Sequence, residues 1–119
     1  MIEASCHCGD VRLEVARRPR RIVECNCSIC RRYGARWAYY SYRTVRFLGS
    51  SGATEVYVHG DRTLAFHRCR RCGCVSHHQR IEVPGEGRVG VNTRLMEPEA
   101  VAGVRVRLLD GASSWKYLD

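Results

Sequence analysis

The sequence predicts an all-β domain of mainly antiparallel short strands with one or two short helical turns, stapled by zinc. Three observations predict it. Asp10 to Ala16 alternates cleanly, with Val11, Leu13 and Val15 on one face and Arg12 and Glu14 on the other, the pattern of a half-buried strand. Further short apolar runs follow, separated by turn residues. Eight cysteines gather in tight groups, a spacing that suits a soft cation better than a packed core.

Taken in order, Arg17-Arg18-Pro19-Arg20-Arg21 ends the first strand in a loop, and Ile22-Val23-Glu24 leads into the central cysteines. Ser28 is predicted to cap a helical turn through Arg32, ended by Gly34. Trp37 to Tyr42 and Val45 to Leu48 read as strands, and Gly49-Ser50-Ser51-Gly52 as a turn. Glu55 to Val58 and Leu64 to His67 form a hairpin across His59-Gly60-Asp61-Arg62. Cys74 to His78 and Ile81 to Val83 are further strands, and Pro98 to Ala102 is a second short helix. Val104, Val106 and Leu108 alternate with Arg105 and Arg107 in a last strand, closed by Asp110-Gly111. No internal repeat or linker interrupts the 119 residues, so 1–119 is read as a single zinc-binding domain.

Met1 to Asp10 shows no basic region followed by an apolar run, and no apolar stretch is long enough to cross a bilayer. The expectation is a cytoplasmic protein with reduced thiols and no membrane partner. Its formal charge of +8 invites a nucleic-acid reading, but nineteen of the twenty basic residues are arginine, scattered from Arg12 to Arg107. Seven zinc-bound thiolates would also lower the charge to about +5. A solvated basic surface is the better reading, and nucleic acid is not the expected partner.

Three cysteine motifs carry the chemistry. In Cys6-His7-Cys8-Gly9 and Cys69-Arg70-Arg71-Cys72-Gly73, a glycine follows the second sulfur. Positive φ there lets backbone amides turn back toward the thiolates. Two sulfurs from each turn make a closed site on Cys6, Cys8, Cys69 and Cys72, whose role is folding energy. Cys25-Asn26-Cys27-Ser28-Ile29-Cys30 differs: it supplies three sulfurs locally, lacks the glycine, and precedes Arg31-Arg32-Tyr33. Three protein ligands leave a fourth position for water or substrate, as in catalytic zinc sites. The alternative is that Cys74, His77 or His78 closes this site too. Cys74 is otherwise a small strand residue, His7 points to solvent, and His59 is a turn residue. Secreted-type disulfides do not suit the C-x-C spacings.

Other patterns carry less. Gly85-Glu86-Gly87-Arg88-Val89-Gly90 matches a dinucleotide fingerprint, but Pro84 precedes it and no useful helix follows, so it reads as a turn. Asn26-Cys27-Ser28 is a sequon without meaning in the cytosol. Tyr33, Trp37, Tyr39, Tyr40 and Tyr42 could stack bases, yet at strand spacing they suit core and pocket wall.

Ser5-Cys6-His7-Cys8-Gly9 with Val11, Cys25-Asn26-Cys27-Ser28-Ile29-Cys30-Arg31-Arg32, and Cys69-Arg70-Arg71-Cys72-Gly73 together resemble the glutathione-dependent formaldehyde-activating enzymes, a family that includes centromere protein V. Val91-Asn92-Thr93-Arg94 and Leu109-Asp110-Gly111 extend the resemblance, which spans residues 5 to 111 in family order. It implies a β-tent fold of packed antiparallel sheets. It also implies a structural zinc on Cys6, Cys8, Cys69 and Cys72 and a catalytic zinc on Cys25, Cys27 and Cys30, two ions per chain. The implied activity is a carbon–sulfur lyase type, like S-(hydroxymethyl)glutathione synthase, acting on glutathione or a similar thiol and a small carbonyl compound. Tyr33, His77 and His78 are the candidates to protonate the product oxygen. The competing expectation is a zinc-stabilised binding module without turnover, acting on nucleic acid or an acidic partner. An open coordination position separates the two.

Overall fold

Period-two alternation builds most of this molecule, and it decides which side chains meet. The computed structural model describes residues 1–82 and 86–119. In chain order these form β1 (Ile2–Ser5), β2 (Arg12–Val15), β3 (Ile22–Cys25), α1 (Ser28–Tyr33), β4 (Trp37–Ser41) and β5 (Val45–Phe47). Then come β6 (Thr54–Tyr57), β7 (Leu64–Cys69), β8 (Val75–Arg80), β9 (Arg88–Asn92), α2 (Pro98–Val101) and β10 (Val106–Leu109). β1, β2 and β5 make a small sheet, and the other strands a large one in the order β10-β3-β4-β9-β8-β7-β6. All named pairings are antiparallel except β10 on β3. The fold is mainly antiparallel β with two short helices, as predicted.

Val11, Leu13 and Val15 are all buried, as the alternation requires. Leu13 and Val15 join Ala38 and Tyr40 of β4, Val45 of β5, and Val89 and Val91 of β9 in one apolar cluster between the two sheets. The alternate residues of β4 face the other way. Trp37 packs with Cys25, Cys30, Ile29 and Phe66 on the far side of the large sheet. The same rule splits neighbouring histidines on β8. His77 stacks on His67 at 4.2 Å between ring centroids, and His78 sits edge-on to Trp37 at 4.6 Å. One face of the large sheet therefore holds the main core, and the other holds the central cysteines.

Two strands lie outside the sequence reading. β1 is four residues long and gains its place by pairing Ile2 through Ser5 with Val15 through Arg12. β9 begins inside the glycine-rich run: Glu86 and Gly87 bend, Arg88 starts the strand, and no helix follows. Gly90 lies opposite His78, and a Cβ there would meet His78 Nε2. Gly85 lies outside the described residues, and the second half of the run that reads as a turn, Arg88 to Gly90, is thus strand, where the missing side chain of Gly90 makes room for an imidazole. Ile81 and Glu82 form a bend rather than the expected strand, and Val83 lies outside the described residues.

Leu108 departs from its expected burial and is 42% exposed. β10 is an edge strand, and Arg107 takes the sheltered position instead, stacked 3.9 Å from the Tyr117 ring. The N-cap of α1 is Cys27 rather than Ser28.

His77 and His78 are buried, and burial holds their pKa values down to about 3 and about 4 from an ordinary 6.5. Both stay neutral in the fold, whereas the unfolded chain takes up protons below about pH 6.5. Their stabilising contribution is complete above that pH and is lost as pH falls through the window toward 4 and 3. By pH 4.5 the pair costs about 5 kcal/mol. NMR of the folded protein should therefore show two imidazoles that do not titrate between pH 8 and 5. Titration of all five histidines near pH 6.5 would contradict this.

Candidate functional site

Cys6 and Cys8 follow β1, Cys69 ends β7 and Cys72 lies in the turn after it, so one four-sulfur group ties the small sheet to the large one. Their donor atoms all lie within 4.8 Å of one another. Cys6 Sγ is 3.7 Å from Cys8 Sγ, which is 3.6 Å from Cys69 Sγ. Four sulfurs about 2.3 Å from a tetrahedral zinc would be about 3.8 Å apart, so the quartet fits that ion. Gly9 and Gly73 have φ of +86° and +82°. The amides of Val11, Arg71 and Cys72 donate to these sulfurs at 3.2–3.4 Å, which favours thiolates. Cys74 stays outside the quartet, packed at its edge.

The second group is local. Cys25 ends β3, Cys27 caps α1, and Cys30 lies on the first turn of the helix. Cys30 N donates to Cys27 Sγ, Cys27 N to Cys25 Sγ, and Trp37 Nε1 to Cys30 Sγ, each at 3.4 Å. Burial pushes the Cys25 and Cys30 thiols up. Burial acts the same way on Cys27, but hydrogen bonds led by the Cys30 amide outweigh it and bring that thiol down. Three thiols this close cannot all ionise without a cation. Their sulfurs lie within 4.8 Å of one another, and no fourth His, Cys, Asp or Glu donor among the described residues joins them. The set fits a thiophilic cation such as zinc.

These sulfurs floor a cavity of ≈ 590 Å³, bounded by Trp37, Tyr39, Phe66, His78, the turn at His59 to Asp61, and Trp115. The chain end is clamped over it. Asn26 Nδ2 donates to Asp110 Oδ1 at 3.0 Å, and Asn26 Oδ1 accepts from Ala112 N at 2.9 Å. Asp110 Oδ2 accepts from Ser114 N and Oγ, and the Asn26 amide, followed by these two bonds, holds its carboxyl below the usual range. Gly111 is thereby pressed against the cluster, where a Cβ would stand 2.3 Å from Cys25 Sγ. Asn26, Gly111 and Trp115 are site residues that the sequence reading did not assign. The signals were present, with Asn26 between two ligand candidates and Gly111 inside a family motif.

The three candidate proton donors go to three places. His78 lines the cavity. His77 faces the opposite side of β8, against Phe47 and His67. Tyr33 borders a neighbouring groove with Tyr57 and Arg68. His78 is held neutral, so it carries no spare proton near pH 7. Tyr39 also lines the cavity, and burial raises its phenol to about 12, so it keeps its proton. Arg31, Arg94 and Glu24 border a second groove, which shares Cys25 and Cys30 with this cavity.

No helix of the described residues is long and apolar enough to cross a membrane. A crystal structure of a Rhodobacter sphaeroides protein is similar to this one, with a TM-score of 0.71 and 33% identity over 87% of this chain and 98% of that one. A model of the family described as glutathione-dependent formaldehyde-activating enzyme matches residues 1–107. With that match running through both cysteine groups, the chain belongs to the glutathione-dependent formaldehyde-activating enzyme family.

Proposed function

We propose that residues 1–119 form one domain that adds a thiol to a small carbonyl compound, as an S-(hydroxymethyl)glutathione synthase-like carbon–sulfur lyase does. The observation that carries this is a three-sulfur group with no fourth His, Cys, Asp or Glu donor among the described residues, opening into a cavity. In this reading Cys6, Cys8, Cys69 and Cys72 hold a structural zinc, and Cys25, Cys27 and Cys30 hold a catalytic one. Zinc at the second site supplies a lowered pKa for a thiol brought beside it. Arg31 and Arg94 offer charge to the carboxylates of a thiol such as glutathione. Trp37, through its indole N–H, orients Cys30. The Tyr39 hydroxyl donates to the oxygen that gains charge as the C–S bond forms. Eight free thiols suit a reducing compartment, and we place the protein in the cytoplasm.

Protein loaded with Co²⁺ tests the open position. Glutathione is expected to strengthen sulfur-to-metal charge-transfer absorption and to release a proton. The response should vanish in Cys27→Ser and persist in Cys74→Ser. Tyr39→Phe should keep the spectrum while slowing addition about 10²-fold. A spectrum indifferent to thiols but altered by His78→Ala means a closed site, and the protein is then a binding module.

A further inference from the structure

Formaldehyde has one carbon, and the space above the three sulfurs is far larger. The cavity of ≈ 590 Å³ is walled by Trp37, Leu64, Phe66, Leu109 and Trp115. Among the described residues no lysine or arginine lines it, and its one acidic group is Asp61, whose Oδ1 accepts from the amide and hydroxyl of Thr63. A dicarboxylated thiol finds no cation among the lining residues; the Arg88 guanidinium lies 4.9 Å from the Tyr39 ring centroid without lining the cavity itself. Two cationic side chains, Arg31 and Arg94, lie instead in the neighbouring groove that shares Cys25 and Cys30 with the cavity. The two grooves therefore differ in chemistry: one carries Arg31 and Arg94 beside Glu24, which is paired with Arg36, and the other is mainly aromatic.

Trp115 strengthens the case. Its backbone sits at φ +59°, a left-handed conformation that costs a bulky residue energy. The residue is 68% exposed although it lines the cavity. Such a ring is half of an apolar contact, completed when something apolar enters.

We infer that the carbonyl substrate is an aldehyde with an apolar or aromatic body, which fills the cavity between Trp37, Phe66 and Trp115 while the thiol's anionic groups lie toward Arg31 and Arg94. This rests on the thiol-addition reading above. The step is a simple addition: a sulfur lone pair forms the C–S bond, the carbonyl π pair moves to oxygen, and the thiol's proton ends on that oxygen. No oxidant or reductant is involved.

Both tryptophans of the chain line the cavity, so their emission reports its occupancy without any turnover. In the zinc-loaded protein, excited at 295 nm, benzyl alcohol is expected to give a saturable change that methanol does not. Trp115→Ala, a change at an exposed position, should weaken that binding at least tenfold, a loss in the range expected when an apolar pocket wall is removed. The ratio of kcat/KM for benzaldehyde to that for formaldehyde, with glutathione as thiol, should fall by about the same factor in Trp115→Ala. Comparing this ratio between the variant and the parent cancels the intrinsic reactivity of the two aldehydes. Addition to formaldehyde, with no benzyl alcohol response and an unchanged ratio, overturns the inference and leaves the thiol-addition reading standing. A saturable response with no addition to any aldehyde overturns both.

Discussion

Cys69→Ser is expected to leave no soluble, cooperatively folding protein. Cys69 is 1% exposed, and its sulfur accepts two backbone amides and lies 3.6 Å from Cys8, 61 residues away in sequence. The quartet links the turn after β1 to the turn after β7, so it holds the small sheet against the large one. Structural zinc contributes about 10–16 kcal/mol in small zinc modules. That matches or exceeds the net stability of a domain, about 5–15 kcal/mol. The contrast is Cys27→Ser, which should stay folded, because serine is itself a good N-cap for α1. Solubility, near-ultraviolet circular dichroism and thermal melts of the two variants decide the matter. If Cys69→Ser melts like the parent while Cys27→Ser unfolds, the two sites have exchanged roles.

Gly111→Ala is expected to lower activity on the order of 10²-fold while leaving the domain folded. The new methyl group would stand 2.3 Å from Cys25 Sγ and 3.2 Å from Cys27 Cβ. The backbone cannot simply retreat, because Asn26 grips Asp110 on one side of Gly111 and Ala112 on the other. Cys25 or the chain end must give way, at a cost of about 1–3 kcal/mol. Metal analysis should show the central ion lost or weakened, with the quartet still occupied. Full activity with unchanged metal content would mean that Gly111 does not bear on the cluster.

Much of this was legible in local pattern. The strand at Val11, Leu13 and Val15, the hairpin across His59 to Arg62, the helix ending at Gly34, and both cysteine groups are set by neighbours within a few residues. Glycine at positive φ after Cys8 and Cys72, and three sulfurs on one strand-to-helix turn, need no distant partner to be recognised. β9 was not legible, because a glycine-rich run reads as a turn until His78 is known to lie across from Gly90.

The sequence by itself determined the strand-rich fold, the ligand candidates and the family. Alternation and metal-ligand spacing are short-range properties, written in adjacent residues. Tertiary structure alone decided what surrounds the central sulfurs. Parallel pairing of β10 with β3 sets Leu109 beside Cys25 and so brings Gly111 and Trp115 over the cluster. The register of β8 turns His78 toward the cavity and His77 away from it. Those contacts join residues some eighty positions apart, and their positions follow from sheet register, which one-residue steps invert.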